Sequence, residues 1–290
     1  SRFVGPWRGE LVGAFNGLLG VHDRTTLRTI IASQSEELQY GEIMHEQQLF
    51  ADGLRLRGRY AITSTKPGGT LSPLGIEGDS ELFDVETLYP VIRGRDMNMT
   101  LTGGFSANNT QTELSGIPVG KDRIRSARLF TTVDFTDGWY GINQFDIGVT
   151  QGLEILDVTS DGLGRSRANG EHDFTRFNAT ASRVQDLWLP GVSALVSVTG
   201  QYSEDPLLAA EEFTLGGPNF GRAYDSGELA GDRGYAGQLE LRYGAVVADS
   251  LLQSYQLYSF IDYGQVENIR PVVGEVAKDS LTSAGIGVRY

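Results

Sequence analysis

Apolar and polar residues alternate one for one along segment after segment of this chain, and that period of two admits few folds. In LRLRGRYAIT, Leu54, Leu56, Tyr60 and Ile62 fall on one face of an extended segment, and Arg55, Arg57 and Arg59 on the other. In YAGQLELRYGAVV, Tyr235, Leu239, Leu241, Tyr243, Ala245 and Val247 oppose Gln238, Glu240 and Arg242. In SYQLYSFIDYG, Tyr255, Leu257, Ile261 and Tyr263 oppose Gln256, Tyr258, Phe260, Asp262 and Gly264. Recurrent rows of Arg, Glu and Gln need water or a polar lumen, while the apolar rows need a core or lipid. No apolar run approaches the ~18 residues of a membrane helix. A membrane β-barrel needs none, because only every second residue of a strand meets lipid. In each of the last two segments the outer tyrosines stand eight residues apart. At roughly 3.4 Å per residue and a tilt near ~45°, they lie about 20 Å apart along the membrane normal, close to the spacing of two interfacial aromatic girdles. A soluble sandwich is the competing reading, but it leaves so many inward rows of charge without a purpose.

The pattern predicts an all-β chain of about fourteen strands. They fall near 6–16, 24–34, 40–50, 53–64, 81–93, 96–108, 124–136, 141–153, 172–186, 191–203, 208–216, 234–247, 253–266 and 281–290. Connections differ in length. NGLLGVHD, ADG, RGRD, DGWYG and WLPGV are short, and a turn near Glu204–Pro206 has no clear side. Lys66–Ser80, Gly116–Arg123, Leu156–Gly170 and the stretch from Gly216 to Gly234 are longer. Short turns on one rim and long loops on the other belong to a transmembrane antiparallel β-barrel. No linker or shift in composition divides the chain, so residues 1–290 read as one domain.

Composition removes several functions. A net charge of −13 opposes nucleic-acid binding, which needs a basic footprint. The absence of cysteine removes thiol catalysis, disulfides and thiolate metal sites. His22, His45 and His172 fall in different predicted hairpins without metal-ligand spacing, so no metal or other cofactor is expected. There is no GxSxG elbow. GGPNFG is not GxxxxGK[ST], and no helix follows to receive a phosphate. The three Asn-x-Thr sequons at Asn98, Asn108 and Asn178 read as chance matches on strands. The opening SRFVGPWRGE shows no signal peptide, which fits a mature or excised fragment.

The stretch GGPNFGRAYDSGELAGDRG, Gly216 to Gly234, holds six glycines between two alternating segments. With its flanks, EEFTLGGPNFGRAYDSGELAGDRGYAGQLELRY resembles the signature region of two-partner secretion transporters, the haemolysin secretion/activation proteins. LYSFIDYGQV is similar to the family's second signature, an aromatic–x–Asp–x–Gly strand, and LTSAGIGVRY to the strand after it. LYPVIRGRDMNMTLTGGF, VTQGLEIL and GQYSEDPLLAAEEF fit upstream in order, so the resemblance covers essentially the whole chain.

The resemblance implies a 16-stranded outer-membrane barrel preceded by periplasmic POTRA domains. It implies passage of an unfolded partner exoprotein through that barrel to the surface of a Gram-negative bacterium. A loop after the eleventh strand would fold into the lumen, and the Arg at its tip would dock on the Asp of the second signature. Carried over, the tip is Arg222-Ala223-Tyr224 and the acceptor strand offers Phe260, Asp262 and Gly264. Ala223 stands where Gly is commoner. Gly216, Gly217, Gly221, Gly231, Asp232 and Gly234 shape the loop and its return, with Gly264 leaving room for the tip. Arg55, Arg57, Arg59, Glu240 and Arg242 are candidates to line the lumen, or plain solvated wall residues. The POTRA domains would precede Ser1, and the last two strands would follow Tyr290. The expected partners are the exoprotein and outer-membrane lipid, with the barrel a monomer. An assembly factor of the same superfamily and a passive porin are the alternatives; an enzyme is not expected.

Overall fold

The computed structural model describes residues 4–5, 7–159, 164–246 and 254–290. The strands are β1 (Arg8–Asn16), β2 (Asp23–Ala32), β3 (Gln39–Gln48), β4 (Arg55–Thr65), β5 (Ile76–Arg93), β6 (Met97–Leu114), β7 (Ile117–Thr136) and β8 (Gly141–Gly152). They continue with β9 (Thr175–Asp186), β10 (Val192–Ser203), β11 (Phe213–Leu215), β12 (Leu229–Gly231), β13 (Arg233–Val246), β14 (Ser254–Glu267) and β15 (Lys278–Arg289). Thirteen strands form one antiparallel sheet in which sequence neighbours pair, except that β10 pairs directly with β13. The expected strand ends at residues 6, 247 and 253, Val247 of the outer row, and part of the Leu156–Gly170 loop lie outside the described residues.

The segment 208–216 is not a wall strand, which corrects the sequence reading. Only Phe213–Leu215 form a strand there, and they pair with Leu229–Gly231 to make a small hairpin apart from the wall. The large loop therefore follows the tenth wall strand of this sheet. The apolar residues that suggested a strand are buried by loop packing: Leu207 and Leu208 cluster with Ile124 and Phe174. A second correction concerns Lys66–Ser80 and Gly116–Arg123. β5 already starts at Ile76, and β6 and β7 continue to a two-residue turn at Ser115-Gly116. Both turn residues have positive φ, 51° and 77°, as a tight hairpin turn requires. The polar run NNTQTEL has no apolar row, because this part of the hairpin extends past the apolar band.

The outer face is apolar and exposed: Leu56, Tyr60, Ile62, Tyr235, Leu239, Leu241, Tyr243, Leu257, Ile261 and Tyr263 all lie on it. Trp139, Tyr140 and Trp188 stand exposed in the short turns, where interfacial aromatics suit a membrane surface. Among the described residues no helix is long and apolar enough to cross a membrane. Ile261 is near the middle of β14 on the lipid side. Ile261→Arg is expected to lower barrel stability in bilayers by about 2–4 kcal/mol. Gln144→Arg, on the polar face beside Asp146, should stay within about 0.5 kcal/mol. Denaturant titration of the protein refolded into vesicles checks both.

On the inner face, charges pair across strands. Arg55 and Arg57 both bind Glu46 at 2.8 Å, and Arg57 also approaches Glu86 at 3.5 Å. Arg59 binds Glu42 at 2.7 Å and approaches Asp84 at 3.5 Å. Arg128 lies between Asp84 at 3.6 Å and Glu211 at 4.0 Å, and Arg176 binds Glu211 at 2.7 Å. Pairing of this kind lets a polar wall carry many charges without strong repulsion.

Candidate functional site

The loop from Glu204 to Asp232 lies between β10 and β13. It leaves its short strand at Gly216 and Gly217, whose φ values of 102° and 94° belong to the left-handed region that glycine adopts freely. The turn is closed by backbone bonds: Gly216 N–H donates to Phe220 O at 2.9 Å, Gly217 N–H to Tyr224 O at 3.2 Å, and Tyr224 N–H to Gly221 O at 2.9 Å. Leu215 is buried against Ala236, Val266 and Leu281 of the wall, with Phe213, Phe220 and Leu229 packed around it. These apolar contacts hold the arms of the loop against the wall, alongside the charged contacts of its tip.

A Cβ at Gly264 would lie 2.7 Å from Leu215 Cδ1. Gly264 thus makes room for the outgoing arm of the loop and not for its tip, which corrects the expectation. At Gly221 a Cβ would lie 2.7 Å from Leu281 Cδ1, so the tip presses closely on β15. Gly231 and Gly234 are similarly confined, with backbone oxygens of Glu267 and Gln265 at 3.0 and 2.9 Å from a Cβ. Ala223 is exposed and does not adopt a positive φ, so alanine there carries no backbone strain. Tyr224 is exposed, and its role in the turn is through its backbone.

Arg222 reaches two carboxylates. Its Nη2 donates to Asp262 Oδ1 at 2.8 Å and its Nε to Asp262 Oδ2 at 3.1 Å, a two-pronged contact that fixes direction as well as distance. Asp262 Oδ2 also accepts the backbone N–H groups of Gly221 at 3.2 Å and Arg222 at 3.1 Å, and the Ser283 hydroxyl at 2.9 Å. Asp262 is fully buried. Nη1 of Arg222 donates to Glu240, and Nη2 also approaches Gln238 Oε1 at 3.3 Å. The guanidinium lies over the Phe260 ring, 3.6 Å from its centroid.

The sequence offers Glu240 either as lumen lining or as a plain solvated wall residue. It is a second receptor for the tip and is shared by two further arginines. Arg242 donates to Oε1 at 2.7 Å, and Arg289 donates to Oε1 at 2.8 Å and Oε2 at 3.2 Å. The signal that could have exposed it is register: Gln238 pairs with Asp262 and Glu240 with Phe260, so the two carboxylates are diagonal neighbours on one face. Arg55, Arg57 and Arg59 are not gathered at this site; their partners are the wall acids on β3 and β5. Asp232 is wholly buried and belongs to a different cluster, at the base of the loop. Among the described residues no group of His, Cys, Asp and Glu is arranged to hold a metal ion.

The ring beneath Arg222 makes a graded test possible. Phe260→Leu keeps the burial and removes the cation–π contact, worth about 0.5–2 kcal/mol. Undocking of the tip should become roughly threefold more frequent or more, read as faster limited proteolysis of the loop. Unchanged cleavage rates would mean that the ring only fills space.

The model of the family described as haemolysin secretion/activation protein ShlB/FhaC/HecB matches residues 54–290. The outer membrane transporter CdiB of Dickeya dadantii (strain 3937) is 26% identical over 171 residues, covering 58% of this chain and 30% of that protein. Among solved structures, CdiB from Escherichia coli superposes with a TM-score of 0.82 at 17% identity, over 98% of this chain and 53% of that one. CdiB from Acinetobacter baumannii gives 0.72 at 17% identity, over 97% and 50%. BamA from Haemophilus ducreyi lacking POTRA domains 1–3 gives 0.66 at 14% identity, over 97% and 60%. This chain thus spans 30% of the curated relative and about half of each solved CdiB chain. At these identities the superpositions establish the fold, an outer-membrane-type β-barrel wall. The family match over most of the chain establishes the rest: this protein belongs to the haemolysin secretion/activation protein family, a family of outer-membrane transporters and not of enzymes.

Proposed function

We infer that this barrel carries a large partner exoprotein across the bacterial outer membrane, along a lumen occupied at rest by the loop from Glu204 to Asp232. The observation that carries the reading is the docking of Arg222 on two buried wall carboxylates, Asp262 and Glu240. A passive porin has no use for a tip held in this way. An extended polypeptide needs a polar path, and the paired charges of the inner wall provide one without a strong field of either sign. The exposed apolar rows contact lipid, and the barrel works as a monomer. The test is co-expression of the full-length protein, in a Gram-negative host, with a candidate large exoprotein from the same genome. The exoprotein should accumulate in the medium only when the transporter is present. Retention of the exoprotein in cells whose outer membrane holds the folded barrel would sink the reading.

The likeness to BamA favours a second reading, an outer-membrane assembly factor. It is the weaker one, because the superposition on CdiB is closer, at a TM-score of 0.82 against 0.66. Depleting the transporter separates them: loss of an assembly factor lowers the content of unrelated barrels, and loss of a secretion transporter does not.

A further inference from the structure

Arg167 sits between β8 and β9, in a segment without alternation, and it is almost completely buried. It joins three loops of the same rim. On the large loop it donates to Asp232 Oδ1 at 2.6 Å and to the Leu207 carbonyl at 2.7 Å, and it lies 3.2 Å from Glu212 Oε1. On the β14–β15 loop it donates to Glu275 Oε1 at 2.9 Å and Oε2 at 3.1 Å, and approaches Asn268 Oδ1 at 3.4 Å. Asp232 is held from other sides as well. It accepts the backbone N–H of Leu207 at 2.6 Å and of Ile269 at 2.6 Å. Both arms of the large loop, at Glu212 and Asp232, are thereby clasped around one guanidinium. Next door, Glu211 is held by Arg176 of β9.

We propose that Arg167 is a positioning residue that pins the base of the inward loop to the rim and thereby restrains the tip at Arg222 from undocking. This rests on the reading of the loop as the resting occupant of the lumen. A base held by buried bidentate contacts is the stiffer end of the loop, and the turn beyond it is closed by backbone bonds and exposed at Ala223 to Tyr224. The clasp has one Arg against three carboxylates, Glu212, Asp232 and Glu275, and beside it Arg270 of the β14–β15 loop pairs with Glu171 of the β8–β9 loop at 3.3 Å. Burial pushes Glu212 up to about 7; Arg167 opposes this, and Asp232 and Glu275 reinforce it. A raised carboxylate favours the clasped state when protonated. The clasp is therefore firm at low pH and loosens as pH rises toward and through 7.

The experiment is single-channel recording of the full-length protein in planar bilayers at pH 5.5 and 8, without exoprotein. The wild type should show open events up to about tenfold more frequent at pH 8. Glu212→Gln should remove the pH step, and Arg167→Gln should raise opening at both pH values, with Arg167→Lys between. Should Arg167→Gln fail to assemble, as judged by heat-modifiable migration, Asp232→Asn supplies the same reading. A pH step that survives in Glu212→Gln, or a wild type with no step, overturns the proposal. Secretion is scored separately. A pH step lost in Glu212→Gln in a barrel that secretes nothing would refute transport and keep the clasp.

Discussion

Asp262→Ala is expected to cut release of the exoprotein at least about tenfold while the barrel still reaches the outer membrane folded. The carboxylate removed is fully buried and holds Arg222 by two side-chain bonds and the tip backbone by two more. Without it, two backbone N–H groups and the Ser283 hydroxyl lose their acceptor, and each buried loss costs about 1–3 kcal/mol. Breaking one side of a buried ion pair costs about 3–5 kcal/mol. The Arg222 side chain retains 15% of its exposure, so water recovers part of that cost. A net of about 2 kcal/mol shifts the docked-to-undocked ratio about thirtyfold. On the proposed reading, an unanchored tip has no fixed seat to leave and return to, and the cycle of release and redocking that export needs is lost. Arg222→Ala should act in the same direction, and the double variant should be far from additive because both changes break one contact. Near-normal export by both single variants would defeat the role given to the tip. Immunoblots of medium and outer membrane read the two quantities side by side.

Gly216→Ala should reproduce much of that defect without touching a charge. At φ 102° a side chain is strained by about 1–3 kcal/mol. The added Cβ would also overlap the Asp225 carbonyl oxygen and press to 3.1 Å on the Glu228 backbone nitrogen. Both penalties fall on the inward turn that brings Arg222 to β14. Gly227→Ala is the matched comparison: its φ is 73°, but a Cβ there meets nothing within 4 Å. Export should drop severalfold for Gly216→Ala and stay near normal for Gly227→Ala. Limited proteolysis of the loop should become faster in the first variant only. Equal behaviour of the two would remove the argument from close packing.

Wall strands were legible because one face is apolar and exposed and the other is polar, which writes a period of two directly into Tyr235–Tyr243 and Tyr255–Tyr263. The same rule misread 208–216, where Leu207, Leu208 and Leu215 are apolar because loops pack on them. It also cut β6 and β7 short, because beyond the apolar band a hairpin has no reason to alternate. At the tip, alternation placed Asp262 and Glu240 inward, but only strand register says that both meet Arg222. Arg167 left no trace at all. It lies in an irregular segment, its partner Asp232 is 65 residues away, and a lone Arg in a loop has no periodicity to betray it.

The two receptors of Arg222 differ in what they have left once it departs. Glu240 keeps Arg242 and Arg289, so its charge remains neutralised and its oxygens remain bonded. Among the described residues, Asp262 keeps only the Ser283 hydroxyl as a side-chain partner. Departure is therefore nearly free on one side and heavily penalised on the other. The pair behaves like a spring-loaded door with a single return spring. On the proposed reading, Glu240 steadies the arginine while it is home, and the bare carboxylate of Asp262 would draw it back after each passage, so that the lumen closes again without any external source of energy.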